Sequence, residues 1–152
     1  MPRLLLIAHA PSDNTRRLTE AALAGANHPD IDVEVIYKPP LEANADDVLA
    51  ADAILLGTTE NFGYMSGAMK DFFDRIYYPC LEHTEGLPYA LFVRAGNDGT
   101  GAKGSIERII IGLKWRAIQP ALVMAGPFQQ DFISQCEELG MTLAAGLEAG
   151  IY

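Results

Sequence analysis

The sequence is short of positive charge, of cysteine and of long apolar runs, and each shortage excludes something. Its 152 residues carry 11 lysines and arginines against 20 aspartates and glutamates, a formal net charge of -9. Recognition of a phosphate backbone needs a basic face, so nucleic acid is not an expected partner. An anionic membrane surface is disfavoured for the same reason. The two cysteines, Cys80 and Cys136, lie far apart with no CxxC spacing. Neither a disulfide framework nor a cysteine metal site is implied, and a reducing compartment suits them. No stretch approaches the ~20 apolar residues of a membrane span. The opening run Leu4–Ala8 is too short for the hydrophobic region of a secretion signal. A cytoplasmic location is expected.

What is present has the balance of a globular domain, with 49% hydrophobic and 20% charged residues. A chain of this length suits one domain, residues 1–152, and hides enough surface to need no covalent staple. Five short apolar runs, Leu4–Ala8, Val33–Tyr37, Ala53–Gly57, Ala90–Val93 and Ala121–Ala125, alternate with five segments of helical character. The first, third and fifth runs are continuously apolar, as in strands covered on both faces. The second alternates polar and apolar residues, which suits an edge. Pro120 before the fifth suits an edge as well.

Helical spacing groups Leu18, Ala21 and Ala22 in Thr15–Ala26, and Met69, Phe72, Phe73 and Ile76 in Ser66–Tyr78. It does the same for Ile106, Ile109, Ile110 and Leu113 in Ser105–Leu113, and for Cys136, Leu139 and Leu143 in Gln130–Leu147. Gly140 weakens the middle of that last helix. The segment Asp46–Ala51 is short. Strict alternation predicts an α/β fold: a three-layer, doubly wound, five-stranded parallel sheet with right-handed crossovers. In such sheets ligands sit beyond the carboxyl ends of the strands, near a topological switch point.

Three loops at that edge have unusual composition. The first, His9-Ala10-Pro11-Ser12-Asp13-Asn14-Thr15, opens a helix. Its small polar residues and free backbone amides suit an anion, and a bound phosphate would offset Arg16 and Arg17 in the first turn. Equally, Ser12 or Asp13 caps the helix while Arg17 pairs with Glu20. The third-strand loop, Thr58-Thr59-Glu60-Asn61-Phe62-Gly63-Tyr64, sets two aromatics about a glycine. They either pack on a planar ring or staple the loop to the next helix or to another subunit. The fourth-strand loop holds a literal GxGxxG at Gly99, Gly101 and Gly104. The dinucleotide fingerprint also needs an acid about 20 residues on, where this chain has Met124-Ala125-Gly126. A Walker A reading fails at Ala102. The glycines are read instead as a loop that lets backbone approach a flat ligand.

Other constellations carry less. Cys80, Glu82, His83 and Glu85 match no standard zinc spacing. No GxSxG elbow accompanies Ser12 and His9. No metal site and no catalytic acid, base or nucleophile is named.

Taken together, the loops resemble the flavodoxin-like superfamily, and most of all its branch of NAD(P)H-dependent FMN and quinone reductases. The segment Gly57–Arg75, reading GTTENFGYMSGAMKDFFDR, carries the resemblance, and Ala51–Gly57 and Cys136–Gly140 fit it. The resemblance implies strand order 2-1-3-4-5, with FMN at the switch between strands one and three, a case the general rule for such sheets already contains. It implies phosphate contacts from Ser12, Asn14 and Thr15, beside His9. Thr59, Glu60, Asn61, Phe62 and Gly63 match the loop beneath the isoalloxazine, and Gly96, Asn97 and Gly99 the loop over its pyrimidine side. His9, Pro11 and Asp13 stand where many relatives have hydroxyl or glycine residues, and Glu60 brings an acid close to the expected flavin. The implied activity is hydride transfer from NAD(P)H through FMN to a quinone, flavin or similar small-molecule electron acceptor, with a homodimer as the base-rate assembly. A flavodoxin-type electron carrier and a cofactor-free interaction module are the alternatives.

Overall fold

A computed structural model describes residues 1–152. The strands are β1 (Arg3–Ala8), β2 (Glu34–Lys38), β3 (Ala53–Asn61), β4 (Tyr64–Met65), β5 (Pro88–Ala95), β6 (Arg116–Ala117) and β7 (Leu122–Ala125). The helices are α1 (Asp13–Ala26), α2 (Ala45–Leu49), α3 (Gly67–Cys80), α4 (Thr100–Leu113) and α5 (Gln130–Ala149). The sheet has five parallel lanes in the expected order: β2, β1, β3 and β5, with β6 and β7 sharing the last. Pro120 lies in the gap between those two pieces, where its missing N–H would break a continuous ladder. β4 is an addition to the expected five, pairing antiparallel with the far end of β3.

Alternation along each strand divides the core in two. Ile54 and Leu56 face a cluster of 22 buried residues built mainly with α3 and α4, around Phe72, Phe73 and Ile106. Ala53 and Leu55 face a second cluster of 18, under α1 and α5. Each fully buried leucine or phenylalanine contributes roughly 1.5–3 kcal/mol to that burial. Both cysteines are buried and free. Burial pushes the Cys80 thiol up to about 11, with Asp46 adding to it, and the Cys136 thiol up to about 12.

Gly140, a weak point by helix propensity, has its explanation in the contact between α1 and α5. A Cβ there would lie 2.1 Å from the Ala22 carbonyl oxygen, and one at Gly25 would lie 2.0 Å from that of Glu137. The two helices approach backbone to backbone through reciprocal glycines. Gly104 of α4 differs, because a Cβ there would meet nothing within 4 Å.

Opposite effects of one substitution follow. Gly140→Ala is expected to lower unfolding free energy by about 1–3 kcal/mol, since overpacking outweighs the gain in propensity. Gly104→Ala is expected to raise it by about 0.4–1 kcal/mol. Urea titration of both variants checks the pair, and a stabilised Gly140→Ala would show that α1 and α5 can separate at little cost.

Candidate functional site at the carboxyl edge of the sheet

Parallel register brings the three loops to one edge. Ala8 pairs with Gly57, and Thr59 with Arg94, so β1, β3 and β5 end at similar height. The first loop leaves β1 with the His9 N–H donating to the Gly57 carbonyl at 3.0 Å. Partial burial holds the His9 imidazole below its ordinary pKa, which favours the neutral ring.

Ser12 and Thr15 form a reciprocal capping box. The Thr15 N–H donates to Ser12 Oγ at 3.2 Å, and the Ser12 N–H to Thr15 Oγ1 at 2.9 Å. The first amides of α1, at Asp13 and Asn14, have no intrahelical acceptor, as at any helix start. Asp13 is exposed and turned aside into an ion pair with Arg16. That pair compensates one of the two cations in the first turn. Arg17 does not pair with Glu20. Its guanidinium instead donates to Asn14 Oδ1 at 3.4 Å and Gln130 Oε1 at 3.1 Å, and lies 5.6 Å from the Phe128 ring centroid.

The third-strand loop is a hairpin, which the apolar pattern of the strand did not announce. β3 runs on to Asn61, which pairs with Tyr64. The two residues between them both have positive φ, 55° at Phe62 and 71° at Gly63, as a I′ turn requires. Glycine takes that conformation without cost, but an aromatic residue does not. Phe62 is nonetheless fully exposed at the apex, and Tyr64 is exposed beside it. Neither ring staples the hairpin to the core.

Glu60 holds the hairpin instead. Its carboxylate accepts from the Gly99 N–H at 3.3 Å and the Ala102 N–H at 3.0 Å. The start of α4 therefore carries an anion supplied by the chain itself. Asp98 adds a second acceptor, for the Thr100 N–H at 3.0 Å and its hydroxyl at 2.8 Å. Those bonds, the backbone one foremost, lower the Asp98 pKa. With both carboxylates in place α4 begins at Thr100, not at Ser105, and absorbs Gly101 and Gly104 into its first turns. A Cβ on Gly101 would stand 1.9 Å from the Gly63 carbonyl oxygen. That close contact, and not a dinucleotide, explains this glycine of the GxGxxG.

The residues fit FMN on two observations. Thr59 Oγ1 is buried with no hydrogen-bond partner, in the middle of the edge. Gly63 and Gly96 leave open space where a side chain would project. Asn97 and Gly96 are exposed, and Gly99 is buried with φ 74°. Arg94, which the sequence reading missed, is half-buried at the same edge with no carboxylate partner. Its guanidinium donates to the Ala95 and Met124 carbonyls and lies 5.2 Å from the Phe132 centroid. Its apolar flanks in sequence gave no signal of that packing.

The lanes, the switch between β1 and β3, and the loops above them define a flavodoxin-like α/β protein. A structure of a flavodoxin from the domain Archaea superposes with TM-score 0.79 at 21% identity, covering 93% of this chain and 96% of that one. The two-electron reduced flavodoxin of Megasphaera elsdenii gives 0.73 at 19% identity, over 93% and 98%. In sequence, a flavodoxin of Aquifex aeolicus is 27% identical over 160 aligned positions, 95% of this chain and 86% of its own length. The profile of the family described as NADPH-dependent FMN reductase matches residues 28–130, and the chain belongs to that family. Its cofactor is FMN.

Glu60→Ala is expected to destabilise the protein by about 1.5–3 kcal/mol, the worth of hydrogen bonds to a charged acceptor. Glu60→Gln, which keeps one acceptor oxygen, should cost less. Thermal unfolding of the two variants measures this. Equal stability of wild type and Glu60→Ala would mean that solvent serves the start of α4 as well.

Proposed function

We propose that this protein is an FMN-dependent oxidoreductase that draws on NAD(P)H and reduces a quinone, a free flavin or a similar small acceptor. The observation that carries the reading is the family match, whose span includes the whole hairpin and the loop after β5. When bound, FMN supplies the redox chemistry, accepting hydride from the nicotinamide and giving electrons to the acceptor.

The chain's own residues bind, orient and leave access. Ser12 and Thr15 fix the start of α1 so that its free amides, with Asn14, meet the phosphate. Thr59 offers its unpartnered hydroxyl from the end of β3. Asn61, Phe62 and Gly63, with the backbone of Glu60, form the support beneath the ring system, and Gly96, Asn97 and Gly99 close its other edge. His9 completes the wall beside the first loop. Phe62 and Tyr64, both exposed, shape the acceptor pocket. No side chain need act as acid or base. We place the protein in the cytoplasm, with a homodimer as the arrangement to test.

A second reading, an electron carrier working between protein partners, is favoured by the flavodoxin of Aquifex aeolicus, which matches over 86% of its own length. The two readings separate in one assay. The purified protein should take up FMN, with its flavin fluorescence altered, and should then oxidise NADPH steadily when a quinone is supplied. Binding without donor oxidation favours the carrier, and no binding at all rejects both. Gly63→Asp, which puts a charged side chain where φ is 71°, should weaken FMN binding by about tenfold or more. Unchanged affinity would remove the hairpin from the cofactor site.

A further inference from the structure

We propose that the cleft between α3, the β4 hairpin arm and the first turns of α4 binds the phosphate-bearing part of the dinucleotide donor. Arg108 and Lys70 are its anion contacts. This rests on the NAD(P)H reading above and specifies where that donor is held. The cleft has a volume of about 410 Å³, within the range of small-molecule sites, and is lined by Tyr64, Lys70, Gly101, Gly104, Ser105 and Arg108 among others. Its lining holds two cations and no carboxylate, in a chain where acids outnumber bases 20 to 11. The sign suits a donor that is itself an anion.

The state of each cation supports the assignment. Arg108 is exposed and makes no ion pair, while the neighbouring Glu107 is held by Lys103 at 2.9 Å. Lys70 meets Asp74 at 2.6 Å, one turn along α3 with both side chains exposed. Such an exposed pair is worth little, and a phosphate can displace it. The floor of the cleft is helix backbone. Gly101, Gly104, Ser105 and Arg108 share one face of α4 by their spacing. Gly101 is required by the Gly63 carbonyl, but nothing in the fold requires Gly104, which leaves bare surface facing the cleft.

Position supports it as well. Tyr64 joins the cleft directly to the hairpin that supports the flavin. The start of α4 cannot take the phosphate, because Glu60 already fills it. A larger cavity of about 600 Å³, lined by Met1, Pro2, Asp52 and Pro88, lies at the amino-terminal ends of the strands and away from the loops.

The test uses the FMN-loaded protein and two fragments with no nicotinamide, ADP-ribose and its 2′-phosphate, titrated by calorimetry. Saturable binding of at least one is expected. Arg108→Gln should weaken it about tenfold or more, as loss of one charge-assisted hydrogen bond does. Gly104→Leu should block the cleft, since its side chain has open space to enter, and Lys70→Gln provides a third variant on a different helix. All three should still bind FMN, which confirms that they fold. A wild type that binds neither fragment, or variants that bind as tightly as wild type, overturns the cleft. NADPH oxidation followed in parallel separates the two ideas. Turnover with donor KM unchanged in every variant overturns the cleft and leaves the reductase reading intact. Fragment binding that the variants lose, in a protein that oxidises no NAD(P)H, overturns the reductase and with it the donor role of the cleft, leaving only an anion site there.

Discussion

Everything at the functional edge depends on the parallel ladder. Once Leu4 is paired with Ala53 and Ile54 with Tyr89, the chain has no freedom in where its strands end. A slip of one residue would turn Ile54 and Leu56 from one core to the other, exchanging two buried faces of different shape. The register is therefore fixed by burial far from any ligand. It delivers the loops after β1, β3 and β5 to a common height as a consequence. The edge that carries the three loops is made by the core.

Above that edge, the loops are held by polar contacts that the chain makes with itself. The capping box at Ser12 and Thr15 sets the start of α1, and the Glu60 carboxylate sets the start of α4. The two helix starts thus meet different fates. One keeps its first amides free of any intrahelical acceptor. The other is satisfied by an internal anion, which joins the hairpin to the fourth loop. On charge alone, an acid near a flavin is a liability. With two backbone donors on it, the same acid becomes a brace.

Much of the fold was legible in the residues. The five apolar runs all proved to be lanes of the sheet: the inner strands β1, β3 and β5 are mostly buried and leave continuous apolar stretches, while β2 and β7 are the half-buried edges that the alternation and Pro120 suggested. Helix faces built on Leu18, Phe72, Ile106 and Leu143 all point into the core. What the residues did not disclose was the hairpin past Gly57, the early start of α4 and the partner of Arg17. The hairpin is local, but its turn sets the aromatic Phe62 at positive φ, which is not the residue such a turn favours. The other two depend on groups distant in sequence, Glu60 with Ala102 and Arg17 with Gln130. Local pattern carries no trace of such pairings.

By itself, the sequence determined the class of fold and the order of its elements, and it singled out three loops that the fold brings to one edge. Apolar periodicity and turn residues are local properties, and they need no partner to be read. Only the tertiary structure decided what Glu60, Gly101, Gly140 and Arg94 are for. Their roles are to cap a distant helix, to admit a carbonyl, to let two helices touch and to pack a cation among aromatic rings. Those roles arise from distances between segments far apart in the chain, and a distance exists only once the core has closed.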